Sequence, residues 1–124
     1  MTDSRKRILI VEDERPIARA FELKLSHSGF EPVVTYDGEE ALLALEKQKF
    51  DLILLDLIMP KMDGFAFLRE LGKRKIKVPA IVTSNLGQEE DIRRAKELGA
   101  KDYFVKSDTP IADIVAHVEK VLKS

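Results

Sequence analysis

Phe50-Asp51-Leu52-Ile53-Leu54-Leu55-Asp56-Leu57-Ile58-Met59-Pro60-Lys61-Met62-Asp63-Gly64 is the stretch whose pattern decides the fold. Leu52 to Leu55 is an apolar run with the length of a strand buried on both faces, and it stops on Asp56, a charged residue with hydrophobic neighbours on both sides. A strand that ends on an acid presents it. Beyond it, Pro60 lacks a backbone N–H and ends any ladder, while Asp63-Gly64 caps a helix expected over Phe65 to Leu71. Asp56 is therefore placed at a strand-to-loop edge, where open α/β sheets hold their ligands.

The same grammar extends in both directions. Upstream, Ile8 to Val11 is a second β-branched run ending on acids, Glu12-Asp13-Glu14. Pro16 suits a first helical turn, Ile17, Ala20, Phe21 and Leu25 recur at helical spacing, and Ser28-Gly29 stops the helix. A strand is expected from about Glu31 to Tyr36, then a helix opened by Asp37-Gly38 with Ala41, Leu42 and Leu45 on one face. Downstream, the basic connector Lys73-Arg74-Lys75-Ile76-Lys77 is read as a solvated loop that Pro79 closes. Ala80 to Thr83 is the next strand, ending near Ser84-Asn85, and a helix carrying Ile92, Ala95 and Leu98 stops at Gly99. Tyr103 to Val105 is a last strand ending on Lys106, and Thr109-Pro110 caps a final helix buried through Ile111, Ile114, Val115, Val118 and Leu122. Strand and helix thus alternate along the whole chain. That alternation predicts an α/β fold, a parallel five-stranded sheet covered on both faces, with the flavodoxin-like doubly wound order 2-1-3-4-5 leading.

Composition narrows the function. A chain of 124 residues with 44% hydrophobic positions is expected to form one domain over 1–124, with a polar N-terminal arm at 1–6. Its 21 basic and 22 acidic residues leave a net charge of -1, so nothing overall draws it to nucleic acid or an anionic membrane. The absence of cysteine removes disulfides, thiolate catalysis and cysteine-ligated metals. No apolar run approaches the roughly 20 residues of a membrane span, so a soluble, cytoplasmic protein is expected.

In the predicted order, strands one and three lie some 5 Å apart, which crowds Glu12, Asp13 and Asp56 into one crevice. Two unit charges about 4 Å apart repel by roughly 4 kcal/mol at an effective dielectric near 20, so the cluster calls for a cation or a proton. An all-oxygen donor set favours a hard ion, Mg²⁺ or Mn²⁺, over zinc. Ser84 and Lys106, at the ends of their own strands, add a hydroxyl and a fixed positive charge. Around a carboxylate, these parts make a phosphoryl cradle with Asp56 as the nucleophile.

These residues are also where the chain resembles the receiver domains of two-component response regulators, the family of the chemotaxis response regulator. That family is itself a standard instance of the doubly wound order 2-1-3-4-5, so the resemblance implies that order. The resemblance spans about Arg7 to Leu122 and rests on Val11-Glu12-Asp13-Glu14, on Asp56-Leu57-Ile58-Met59-Pro60-Lys61-Met62-Asp63-Gly64, and on Leu98-Gly99-Ala100-Lys101-Asp102-Tyr103-Phe104-Val105-Lys106. It implies that Asp56 takes a phosphoryl group from a phosphohistidine on a sensor histidine kinase or phosphotransfer protein. It implies also that Asp13, Asp56 and the Ile58 carbonyl hold Mg²⁺, with Glu12 acting through water. Lys106 would contact the phosphoryl oxygens, Ser84 would move to hydrogen-bond them, and Tyr103 would swing inward behind Ser84. Ile58, Asn85 and Leu86 would border the water approach and set the lifetime of the phosphorylated form. A downstream protein, or a second copy, would bind the face formed by the fourth helix, fifth strand and fifth helix.

Three positions depart from the commonest family pattern. Glu12 stands for a frequent aspartate, Asn85 for a small residue after the switch hydroxyl, and Ser107 for a proline that usually follows the lysine in a cis peptide. Without proline a cis bond costs about 3 kcal/mol, which points to a trans loop of different shape. The switch hydroxyl is assigned to Ser84 by counting back from Gly99, with Thr83 the alternative. A receiver-like interaction module that works without phosphorylation, a receiver excised from a longer regulator, and a flavin carrier are the competing possibilities. The flavin carrier would need a phosphate loop where Glu12-Asp13-Glu14 stands. His27 and His117 fall on helices away from the acids and are given structural roles.

Overall fold

The computed structural model describes residues 5–123, so residues 1–4 of the expected polar arm lie outside the described residues. Strands β1 (Arg7–Val11), β2 (Glu31–Thr35), β3 (Leu52–Leu55), β4 (Ala80–Ser84) and β5 (Asp102–Val105) alternate with helices α1 (Arg15–His27), α2 (Gly38–Lys47), α3 (Gly64–Lys73), α4 (Glu89–Glu97) and α5 (Ile111–Lys123). All five strands are parallel in one sheet of order β2-β1-β3-β4-β5, as the alternation predicts.

Period-two alternation divides the strand residues between two cores. Leu9, Val11, Ile53, Leu55 and Val82 face α2, α3 and α4, joining Ala41, Leu42, Phe65, Phe67, Leu68, Leu71 and Ala95. Ile8, Ile10, Leu52, Leu54 and Ile81 face α1 and α5, joining Phe21, Leu25, Ile114, Val115 and Val118. A sheet covered on both sides needs apolar residues at every position, which is why β1 and β3 read as unbroken runs. Each fully buried Leu, Ile or Phe contributes roughly 1.5–3 kcal/mol, so these two layers hold the edge that carries the acids.

The helix ends follow local chemistry. Asp37 and Asp63 cap α2 and α3 by accepting the backbone N–H of Glu40 and Ala66, each at 2.8 Å. Gly29 and Gly99 adopt φ of +90° and +110° just past α1 and α4, a conformation that disfavours a side chain.

Several details differ from the sequence expectation. Ala18, which the helical spacing did not pick out, is buried on α1, and Ala20 is half-buried. β2 stops at Thr35 because the Tyr36 N–H turns to the Glu40 carboxylate at 3.1 Å, joining the α2 cap instead of the ladder. β4 runs one residue further, to Ser84, and β5 is followed by a short 3-10 turn, Lys106–Asp108, that no periodicity could have announced. No peptide bond is cis among the described residues, so Lys106–Ser107 is trans. No helix among them is long and apolar enough to cross a membrane.

Candidate functional site

Four strands deliver the site. The sheet's hydrogen bonding continues one step past the strands: the Glu12 N–H donates to the Thr35 carbonyl at 3.0 Å and the Asp56 N–H to the Val11 carbonyl at 2.9 Å. Both acids are thus pinned by the ladder although no longer part of it. Behind Asp56, α3 begins so close that a Cβ on Gly64 would stand 2.6 Å from the Asp56 carbonyl oxygen and 2.7 Å from Leu57 Cα. Only glycine lets that approach occur.

Carboxylate oxygens of Glu12, Asp13 and Asp56 lie within 4.8 Å of one another. Glu12 and Asp56 are almost wholly buried, at 1% and 4% exposure, and Asp13 is half-buried. The Lys106 ammonium enters this cluster: it is 2.6 Å from Glu12 Oε1, 3.4 Å from Asp56 Oδ2 and 3.8 Å from Glu14 Oε2. Burial pushes Glu12 up to about 7 from 4.5, against the opposing pull of Lys106, and burial likewise raises Asp56. Burial would lower Lys106, but the carboxylates beside it outweigh that effect and hold its pKa above the ordinary lysine value. An all-oxygen cluster of this spacing, short of positive charge, fits a hard divalent cation.

Around the acids opens a cavity of about 310 Å³, lined by Asp13, Glu14, Asp56, Ile58, Asn85 and Lys106. The Ile58 N–H donates to Asp56 Oδ1 at 3.4 Å, while its side chain is 58% exposed at the mouth. Leu86 does not line this cavity; it packs against the α2–α4 core.

By strand alternation Ser84 shares the face of Val82 and lies toward α4, whereas Thr83 shares that of Ile81. The Ser84 hydroxyl is fully buried and accepts the Leu86 N–H at 3.2 Å. The Tyr103 hydroxyl donates to the Leu86 carbonyl, and burial raises its pKa above the usual phenol value. The sequence thus brings Asp13, Asp56, Lys106, Ile58 and Asn85 to one cavity, with Glu12 buried behind it against Lys106. Beside it, Ser84 at the end of β4, Leu86 on the following loop and Tyr103 on β5 are tied together by hydrogen bonds. Two participants were named in the sequence but given no role at the site. Glu14 was legible as the third acid of its run; Ser107, whose N–H donates to Asn85 Oδ1 at 3.1 Å, had no signal beyond not being proline. Neither histidine is here: His27 is exposed at the end of α1, and His117 lies 2.9 Å from Asp102 with its ring edge-on to Phe104.

A model of the response regulator receiver domain matches residues 8–119. Among curated proteins, the probable transcriptional regulator ycf27 of Pyropia yezoensis is 38% identical over 99% of this chain and 50% of its own length. The alkaline phosphatase synthesis transcriptional regulatory protein PhoP of Bacillus subtilis is 36% identical over 95% of this chain and 49% of its own. The chain spans about half the length of the curated relatives it matches. Among solved structures, the receiver domain of the Francisella response regulator 1452 superposes with a TM-score of 0.90 at 29% identity, covering 96% of this chain and 98% of that one. The chemotaxis protein CheY4 of Vibrio cholerae gives 0.87 at 26% identity, covering 95% and 99%.

Proposed function

The chain belongs to the response regulator receiver domain family, and on that premise we propose that Asp56 is its phospho-acceptor. The nitrogen–phosphorus bond of a phosphohistidine, on a sensor histidine kinase or phosphotransfer protein, breaks as an oxygen–phosphorus bond forms to the Asp56 carboxylate. The leaving imidazole nitrogen keeps the electron pair. The observation that carries this is the Asp56–Lys106 pair, 3.4 Å apart and opening on a cavity large enough for a phosphoryl group. Lys106 would follow the charge from carboxylate to phosphoryl oxygens, and Ser84 would donate its hydroxyl once released from the Leu86 N–H. Asp13, Asp56 and the Ile58 backbone carbonyl would hold Mg²⁺ or Mn²⁺, Glu12 acting through water, and the bound ion would neutralise charge on the transferring group.

We assign output to the face of α4, β5 and α5, where a downstream protein or a second copy would bind, and place the protein in the cytoplasm. The curated relatives are named as transcriptional regulators; in a longer protein of that kind, DNA contact would fall to the part these residues do not cover. Treatment with acetyl phosphate or a beryllofluoride salt plus Mg²⁺ tests the acceptor. Wild type should be modified at Asp56 and Asp56→Ala should not; unchanged labelling of the variant would refute the assignment.

A further inference from the structure

Three consecutive residues at the end of β4, Ser84 to Leu86, are each tied down by a hydrogen bond, and two of the ties run to β5 and the turn after it. The Ser84 hydroxyl accepts the Leu86 N–H within the loop, and the Leu86 carbonyl accepts the Tyr103 hydroxyl. Between them, Asn85 Oδ1 accepts the backbone N–H of Ser107 at 3.1 Å. The geometry of this last bond is specific: Asn85 is the residue immediately after the hydroxyl, and Ser107 the residue immediately after the lysine. It therefore joins, one peptide beyond each, the segment that carries the positive charge beside Asp56 and the segment that carries the Ser84 hydroxyl.

We infer that Asn85 is a positioning residue for phosphoryl transfer, its side-chain amide strapping the Lys106–Ser107 turn to the Ser84 loop so that both groups approach the phosphoryl oxygens at a fixed separation. The inference rests on Asp56 being the acceptor. The β4–β5 ladder registers Ser84 against Val105, but the chain leaves the sheet at Asn85 and at Lys106, and the Asn85–Ser107 bond ties the two segments beyond that point. Each of the two groups makes its useful interaction as charge moves onto the transferring group, so holding them in register acts on the rate of transfer more than on donor or metal affinity. The bond depends on both partners. A proline at 107 has no N–H to give, and a leucine at 85 keeps bulk of similar size but has no acceptor. Asn85 is exposed and lines the mouth of the cavity, so exchanging it leaves the cores untouched.

The test is a double-mutant cycle of Asn85→Leu, Ser107→Pro and the pair, run on the whole chain with acetyl phosphate and Mg²⁺. Amide exchange at Ser107 reads the strap itself in Asn85→Leu. We expect Asn85→Leu to expose the Ser107 amide, each single variant to lower the maximal rate of Asp56 labelling three- to ten-fold with half-saturating donor and Mg²⁺ unchanged, and the pair to lose no more than either single. Additive losses, unaltered rates, or a change in donor half-saturation alone would overturn the inference, as would a Ser107 amide that exchanges at the same rate in Asn85→Leu. A wild type that takes no label at all would instead bring down the acceptor assignment, and the role of the strap with it. If Ser107→Pro does not fold, Asn85→Leu alone still decides through its rate and its exchange.

Discussion

The Lys106 ammonium lies closer to Glu12 than to Asp56, at 2.6 Å against 3.4 Å. A lysine serving only the acceptor aspartate would be centred on it; here it bridges two buried acids that burial already disfavours as anions. The resting site is thus a strained charge cluster, one cation short.

Protons relieve that strain in the absence of metal. Glu12 holds its proton to about 7 in the fold, against 4.5 for the free side chain, so between those values the folded chain binds the extra proton. Raising the pH through that window therefore lowers stability, the slope following the difference in bound protons. Lys106 adds no slope there, because its raised pKa matters only at alkaline pH. Metal-free melts should fall by several degrees from pH 5 to pH 7, at roughly 4 °C per kcal/mol for a domain of this size. Glu12→Gln should flatten the trend, and a wild-type stability that rises across this window would refute the assignment.

Removing an acid should act like adding a proton. Asp13 shares the cluster but does not touch Lys106 among the ion pairs there, so Asp13→Asn subtracts repulsion without orphaning the lysine. The variant should melt a few degrees higher in metal-free buffer, by about 1 kcal/mol, while binding Mg²⁺ about tenfold or more weakly. Titration calorimetry and melts with and without Mg²⁺ check both halves. A variant less stable without metal that still binds Mg²⁺ normally would contradict the cluster.

How much of this was legible in the residues divides by physical cause. The strand order followed from the known doubly wound fold and the family resemblance, not from the apolar runs. The central strands and the acid edge were readable because burial on both faces enforces unbroken apolar runs, and an acid ending such a run has few alternative places. The 3-10 turn after β5, the Lys106–Glu12 preference and the Asn85–Ser107 bond were not. They depend on where loops from different strands meet in space, and neither period nor composition encodes that. Ala18 of α1 escaped the helical spacing for a related reason: only packing against β1 and α5 shows that it is buried while Ala20 is half-buried.

Gly64 should prove as sensitive as a core residue. A Cβ there would meet backbone atoms of Asp56 and Leu57 at 2.6 and 2.7 Å, and backbone cannot swing aside like a flexible side chain. Gly64→Ala should cost about 1–3 kcal/mol in urea denaturation and slow Asp56 labelling, because the start of α3 must move off the acceptor. Wild-type stability in Gly64→Ala would show that the α3 junction has slack.

The output face should announce itself in α4. Only one residue of that helix, Ala95, is buried, fewer than in any of the other four helices, and its N-cap residue Gln88 makes no side-chain capping bond. Release of Ser84 from the Leu86 N–H would loosen the loop that leads into it. Phosphorylation or beryllofluoride should alter amide exchange over residues 85–96 and 103–108. An exchange map changed only around α1 would count against this face.

The phosphorylated form should be long-lived. Hydrolysis requires a water aligned behind phosphorus, and Ile58, exposed at the cavity mouth, offers no hydrogen bond to orient one. Asn85 lines the same mouth, but its carbonyl oxygen is already engaged by the Ser107 N–H. Leu86 stands further back, packed on the α2–α4 core, and contributes by keeping a polar group out of the loop rather than by covering the site. Ile58→Asn should therefore carry most of the effect, and Ile58→Asn with Leu86→Glu should speed loss of phosphate about ten-fold or more, equivalent to about 1.4 kcal/mol of barrier, at unchanged Mg²⁺ affinity. Following the decay of labelled Asp56 after the donor is removed measures this directly. If the double variant loses phosphate no faster than wild type, these side chains do not set the lifetime, and water access is governed elsewhere around the site.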